Sequence, residues 1–233
     1  MQRQLAIRTY SEPINDEKES NKRLTISSKT SKSKEDEHRF KKRRRIEMDI
    51  SQSPQDVLTS LIRNLGYEYK ARSSLSLDDF FELPTEKQIE SFNVNVVKVV
   101  REGNLEKLRL MHKDGQTLQC CNRFGESLLH MACRRGLIDI VKYLINEANV
   151  SLRLRDDFGR TPLHDAFWTG EPNLCLIEFM LTKEPDLILM KDKRGHCPLE
   201  YARKNHWSQW SEFLISKPNL VEPRAFRTKT TNK

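Results

Sequence analysis

The feature that most constrains the fold of this chain is a pattern that recurs along its second half. Gly125, Gly159 and Gly195 are separated by 34 and 36 residues, and each is followed by an octet of similar chemistry. The three octets read ESLLHMAC, RTPLHDAF and HCPLEYAR. A fixed period of this length, with the same local chemistry in each unit, predicts an array of stacked structural repeats.

Each unit of the pattern reads as a turn followed by two helices. The recurring glycines suit turns, because positive φ angles are easily reached without a Cβ atom. Ser127 and Thr161 are predicted N-caps of a short inner helix. Gly136 and Gly170 are predicted to end that helix in a left-handed conformation. The apolar run at 137–145 then predicts an outer helix that packs against the inner one.

The strings FGESLLH and FGRTPLH, each followed by a glycine and an apolar run, resemble ankyrin repeats. The resemblance covers about residues 93–214, with an atypical first repeat at 96–108. The repeat at 192–214 departs from the pattern because Glu200 stands in the histidine position, which suits a terminal cap. The resemblance implies an all-α, ankyrin-type helical repeat solenoid of about three to four repeats that binds protein partners.

The composition changes along the chain and predicts four segments. Residues 1–50 show no helical or strand period and are rich in Ser, Lys, Glu and Asp, which is typical of disorder. The predicted segments are a long disordered basic N-terminal arm at 1–50, short capped helices docking on the array at 53–92, an ankyrin repeat domain at 93–216 and a disordered basic tail at 217–233.

Two helix starts precede the repeats. Ser53 followed by Pro54 predicts one N-terminus, and the Thr85-x-x-Gln88 capping box predicts another. Each short helix has an apolar face that it cannot bury alone. We therefore expect both to act as N-terminal capping helices that extend the array at its N-terminal side.

The net charge of +8 is concentrated in the two tails. Residues 1–50 carry +5 and residues 217–233 carry +4, which leaves −1 for the rest. Nucleic acid is therefore a possible partner of the basic tails but not of the core. The densest basic run predicts either a nuclear localisation signal or an arm that contacts nucleic acid. That run comprises Lys41, Lys42, Arg43, Arg44 and Arg45.

Several classes of protein are excluded by what the chain lacks. No apolar run approaches the ~18 residues of a membrane span, and the first residues carry no apolar signal segment, so we expect neither a membrane protein nor secretion. Five cysteines, without a C-x-x-C pair, favour buried thiols in a reducing compartment over disulfides or zinc. Cys133 and Cys175 fall at core-like positions of the repeats.

No catalytic or nucleotide-binding motif is present, so we predict no enzyme activity, catalytic residue, cofactor, metal or small-molecule substrate. The resemblance implies a structural role for His130 and His164, which share one repeat position. The carboxylates Asp156 and Asp157 are flanked by arginines and predict an exposed, salt-bridged turn. A hydrolytic or redox role for Cys120, or for the adjacent cysteine, with a histidine is the remaining enzymatic alternative.

The resemblance places the partner-binding surface on the turn tips and on the exposed side of the inner helices. We expect Trp168, Phe124, Phe158 and Arg135 to form its energetic centre, because aromatic and arginine side chains dominate interfaces. The alternative for the two phenylalanines is that they pack turn against turn. The full predicted set is Arg123, Phe124, Met131, Arg134, Arg135, Asp157, Phe158, Arg160, Trp168, Thr169, Lys193 and Arg194.

These features predict a non-enzymatic scaffold or adaptor that holds a protein partner on its repeats. The basic arm favours the nucleus over the cytoplasm as its location. The alternative function is a nucleic-acid-associated regulator that binds through its basic N- and C-terminal tails.

Overall fold

A computed structural model describes residues 52–222, which form a stack of helix pairs. The basic arm, its run at 41–45 and residues 223–233 lie outside the described residues. In chain order the α-helices are α1 Pro54–Asn64, α2 Glu86–Glu90, α3 Val94–Arg101, α4 Leu105–Lys113, α5 Leu128–Arg134, α6 Ile138–Asn146, α7 Pro162–Phe167, α8 Leu174–Lys183 and α9 Trp207–Ser216. Short 3-10 helices are Ser74–Ser76, Pro185–Leu189, Pro198–Tyr201, Lys204–His206 and Pro218–Val221. Two short strands, β1 Arg72–Ser73 and β2 Met190–Lys191, pair in parallel.

Four successive units confirm the predicted repeat solenoid. Helices α3 and α4, α5 and α6, and α7 and α8 form the first three pairs. The 3-10 helix Pro198–Tyr201 and then α9 follow in the order of a fourth unit. The inner helices start where the sequence predicts. Ser127 and Thr161 each form a capping box with the histidine three residues later.

A single hydrophobic core runs through the stack. Leu129, Leu163 and Leu144 are completely buried, and so are the inner-helix alanines Ala132 and Ala166. Small alanine side chains let α5 and α7 approach closely, and these two helices make extensive contact. No unit could bury this surface alone, so the stability of each depends on its neighbours.

The inner helix α7 does not end as expected. Gly136 has the predicted left-handed conformation, with φ of 67°, but Gly170 is not among the glycines with positive φ. The side chain of Thr169 replaces it as the terminator. Its hydroxyl donates to the carbonyls of Ala166, at 3.1 Å, and Glu171, at 2.8 Å.

Helix α1 lies at the opposite end of the array from the one we expected. It contacts α9 and the 3-10 helices Pro198–Tyr201 and Pro218–Val221. Leu58 and Ile62 are completely buried there. The docking is explained by what α9 exposes: within residues 52–222 no repeat follows it, and α1 covers its apolar face. Only α2 lies beside the N-terminal repeats, where the Gln88 carbonyl accepts from the Cys121 N–H.

Residues 66–92, which we call the strap, connect these two ends across the turn-forming loops. Strand β1 pairs with β2 in the last repeat, and the Ser74 hydroxyl donates to the Gly159 carbonyl at 2.6 Å. Further along, the Glu82 N–H donates to the Arg153 carbonyl at 2.9 Å. Repeat solenoids ordinarily hold only neighbour-to-neighbour contacts. The strap therefore adds long-range contacts that tie three repeats together.

Replacing Gly159 with alanine should loosen the strap, and Gly195→Ala provides a matched control. Both glycines have positive φ, 75° and 87°, so each alanine adds backbone strain of about 1–2 kcal/mol. At Gly159 the new Cβ would also collide with the Ser74 hydroxyl, whereas nothing lies within 4 Å at Gly195. Urea unfolding should show a loss for Gly159→Ala that exceeds the control by about 1 kcal/mol. Equal losses would mean that the strap contributes nothing at this point.

Candidate partner-binding surface

Each turn is built around one side chain that accepts two backbone hydrogen bonds. Asn122 accepts from the N–H groups two and four residues later, at 2.9 and 3.0 Å. Asp156 and Asp192 make the same pair of bonds, all at 2.8–3.0 Å. The buried Asp156 therefore holds its turn from inside, which corrects the expectation that both Asp156 and Asp157 are exposed. Arg160 pairs with Asp156, as predicted.

Neighbouring turns are linked by a regular ladder. The Asp157 N–H donates to the Phe124 carbonyl at 2.9 Å, and the Lys193 N–H donates to the Phe158 carbonyl at 2.8 Å. These bonds repeat with the period of the sequence. Turn tips are consequently held in register as a continuous edge of the stack.

The two buried histidines extend this ladder and confirm their structural role. In each, Nδ1 accepts from the N-cap N–H, and Nε2 donates to a carbonyl of the next turn. For His130 that carbonyl belongs to Arg160, at 3.0 Å, and for His164 it belongs to His196, at 3.2 Å. Burial lowers the pKa of His164 to about 4, so its ring is neutral at pH 7.

Glu200 occupies the histidine position in the last repeat. Its carboxylate accepts from the Cys197 N–H at 2.6 Å, which reproduces the bond made by Nδ1. Unlike the histidine ring, a carboxylate has no N–H that could donate to the carbonyl of a following turn. Among residues 52–222 no further turn follows, so that donor has no acceptor to meet, and Glu200 fits the terminal position that the sequence predicted.

Equivalent positions on the inner helices form a row that changes chemistry from one repeat to the next. Arg134 pairs with Glu126, at 2.8 Å, and reaches Asp165 of the next repeat, at 2.9 Å. One repeat later Trp168 takes the place of Arg134, and its ring packs on Tyr201 at 5.6 Å between centroids. The same cross-repeat contact is thus ionic in one place and aromatic in the next.

The aromatic side chains on this surface are highly accessible. The exposed fractions are 58% for Trp168, 50% for Phe124 and 47% for Phe158. Each phenylalanine ring lies under an arginine, with Arg123 4.7 Å and Arg160 5.2 Å from the ring centres. Within residues 52–222 neither phenylalanine ring pairs with another aromatic ring.

The structure separates the predicted binding residues into surface and core. Exposed side chains are Arg123, Phe124, Arg134, Arg135, Asp157, Phe158, Trp168, Lys193 and Arg194, while Arg160 and Thr169 are half-buried. The assignment of Met131 to the binding surface is wrong, because its side chain is only 8% exposed and belongs to the hydrophobic core. Its position faces the neighbouring repeat, as the equivalent Asp165 also does at 5% exposure.

Tyr201 supports the centre of this surface but is not among the four residues predicted to form it. It stands one residue after Glu200, at the position equivalent to Met131 and Asp165. Its hydroxyl donates to Asp192 at 2.5 Å, which fixes the ring beneath Trp168. The repeat register places Tyr201 on the inner-helix face, but only the stacking of adjacent repeats brings it against Trp168.

The thiols are poor candidates for chemistry. Burial raises the pKa of Cys120 to about 12 and also raises the pKa of Cys121, so both remain protonated at neutral pH. Cys133 is completely buried, as predicted, but Cys175 is exposed, which corrects its assignment to the core. The described residues contain no cluster of potential metal ligands. No helix among them has the length and apolar character needed to cross a membrane.

The arrangement of capped turns, short inner helices and longer outer helices agrees with a family model. Residues 96–187 match the model described as ankyrin repeats (3 copies). Residues 96–187 belong to the ankyrin repeat family. Repeats of this family are protein–protein interaction modules, and this array is one.

Proteins with similar segments come from distant organisms. A putative ankyrin repeat protein, YahD of Escherichia coli, is 28% identical over 116 residues, which cover 48% of this chain and 57% of YahD. A putative glutaminase 2 of Caenorhabditis elegans is 33% identical over 31% of this chain and 12% of its own length. The human palmitoyltransferase ZDHHC13 is 28% identical over 113 residues, which cover 48% of this chain and 18% of the palmitoyltransferase. The matched segments thus span little more than half of one relative and small parts of the others.

Proposed function

We propose that the ankyrin array is a non-enzymatic scaffold or adaptor, and that its partner binds along the turn tips and the inner-helix face. The observation that carries this proposal is the Trp168–Tyr201 pair. Trp168 exposes 58% of its surface although it packs on an anchored tyrosine. A large aromatic ring held in place loses little conformational entropy on binding, which is typical of interface centres.

Substitution of Trp168 tests this surface directly. Partner capture by the intact protein, measured by proximity labelling, should fall about tenfold or more for Trp168→Ala, because truncating a central aromatic side chain commonly removes about 2 kcal/mol or more. Leu110→Ala is the control, since Leu110 is 61% exposed but lies on the outer helix of the first repeat. Both variants should melt like the parent. Undiminished capture by Trp168→Ala would remove this surface from consideration.

Nuclear entry is a separate proposal that rests on the basic run at 41–45. The run lies outside the described residues, so its support comes from sequence alone. Imaging the chain with and without residues 1–50 tests it. An unchanged distribution would contradict the proposal.

A further inference from the structure

We infer that the partner segment recognised by this surface is an acidic peptide that carries an aromatic or large aliphatic side chain. This inference rests on the proposed function and adds the chemistry of the partner. It is drawn from the charges that the folded array leaves unpaired, from those that it pairs, and from the position of the exposed aromatic rings.

Three of the described cations without a salt bridge lie on the turn tips and at the end of an inner helix, while others, among them Lys107 and Lys142, lie on the outer helices. Arg135, Lys193 and Arg194 are exposed, and none of them has a salt-bridge partner within residues 52–222. The backbone N–H of Arg194 and the hydroxyl of Tyr201 both donate to the carboxylate of Asp192. Lys193 and Arg194 therefore belong to the turn that anchors Tyr201.

Most acidic groups of the same face are already engaged. Asp165 accepts two bonds from Arg134, at 2.9 and 3.2 Å, and Asp156 pairs with Arg160. Asp192 is buried. Burial opposes its ionisation, but the hydroxyl of Tyr201 and two backbone N–H groups hold the pKa of Asp192 below its usual value. Asp157 is the exposed carboxylate at the tips. The accessible face is consequently positive although its sequence contains many acids.

The row of turn tips combines apolar and basic character in a fixed order. Phe124, Phe158 and Arg194 occupy equivalent positions in three successive turns. Neighbouring helices pack about 8–10 Å apart, so the row spans roughly 20 Å. An extended segment of about six residues covers that length. Its acidic end would lie near Lys193 and Arg194, and its apolar side chain would lie on Trp168.

An acidic protein segment suits this surface better than nucleic acid does. Residues 52–222 contain 23 basic and 24 acidic side chains, a net charge of −1. Nucleic-acid affinity depends on neutralising many phosphates. A small basic patch on a neutral body offers few such contacts, whereas two or three carboxylates and one apolar side chain match it closely.

Selection from a phage library of random 12-residue peptides, performed on the full-length protein, tests this inference. We expect the enriched peptides to be acidic and to contain an aromatic or large aliphatic residue. Charge reversal at Lys193→Glu and Arg194→Glu should weaken their binding by about tenfold or more. The control reverses two exposed charges of the outer helices, Lys107→Glu and Lys142→Glu, and should leave binding unchanged.

The possible outcomes separate this inference from the proposed function. Enrichment of neutral or basic peptides whose binding is lost with Trp168→Ala would overturn the acidic preference and keep the binding surface. Acidic peptides that bind both charge-reversed proteins equally would also overturn it, as would tighter binding of a 12-nucleotide single-stranded DNA through Lys193 and Arg194. If neither peptides nor partner capture depends on Trp168, the inference and the proposed function both fail.

Discussion

Replacing Leu163 with alanine is expected to lower the free energy of unfolding by about 2–5 kcal/mol. Leu163 is completely buried on α7, which packs against α5 on one side and the 3-10 helix Pro198–Tyr201 on the other. A cavity there would weaken two repeat interfaces at once. Equilibrium urea unfolding followed by circular dichroism measures the loss.

The control for Leu163→Ala is Leu110→Ala, which makes the same chemical change at a side chain that is 61% exposed. We expect the control to stay within about 0.5 kcal/mol of the parent. A loss for Leu163→Ala as small as that of the control would contradict the shared core of stacked repeats.

Stability is expected to fall by about 3 kcal/mol as the pH is lowered from 6.5 to 4 because of His164 alone. In the unfolded chain this ring takes up a proton below its ordinary pKa of 6.5, whereas burial lowers the folded pKa to about 4. Between these pH values the unfolded state binds more protons than the folded state, so the free energy of unfolding decreases as the pH falls. The contribution of neutral His164 is therefore complete above pH 6.5 and is lost as the pH falls.

Urea unfolding at several pH values measures this dependence, and His164→Gln is the comparison. The glutamine can still accept from the Thr161 N–H, as Glu200 does from Cys197, but the variant loses the bond to the His196 carbonyl, so it should be less stable at pH 7. Its stability should nevertheless change less between pH 6.5 and 4, because it has no ring to protonate. Parallel curves for the parent and the variant would show that His164 does not titrate as its burial requires.

The local parts of the fold could be predicted from the sequence because each depends on residues a few positions apart. The capping boxes of Ser127 and Thr161, the start of α1 at Pro54 and the left-handed Gly136 all lie where the pattern indicates. The prediction at Gly170 is wrong because the Thr169 side chain supplies an equivalent stop.

The accessibility of the candidate site could be predicted only in part. Phe124, Phe158 and Trp168 are exposed as the repeat register indicates, since turn tips and helix ends face outward in every unit. Met131 is buried because the next repeat covers it, and Cys175 is exposed because its place on α8 faces away from the stack. Whether a side chain is covered depends on the neighbouring unit as much as on its own helix.

The sequence alone determined the repeat, its turns and its caps, because the glycine spacing and the capping residues act within single units. Only the tertiary structure decided that α1 covers the last repeat, that the strap crosses the array and that Tyr201 supports Trp168. Those contacts join residues far apart in the chain. They depend on which apolar surfaces and unpaired groups remain after the repeats have stacked, and no local pattern specifies that.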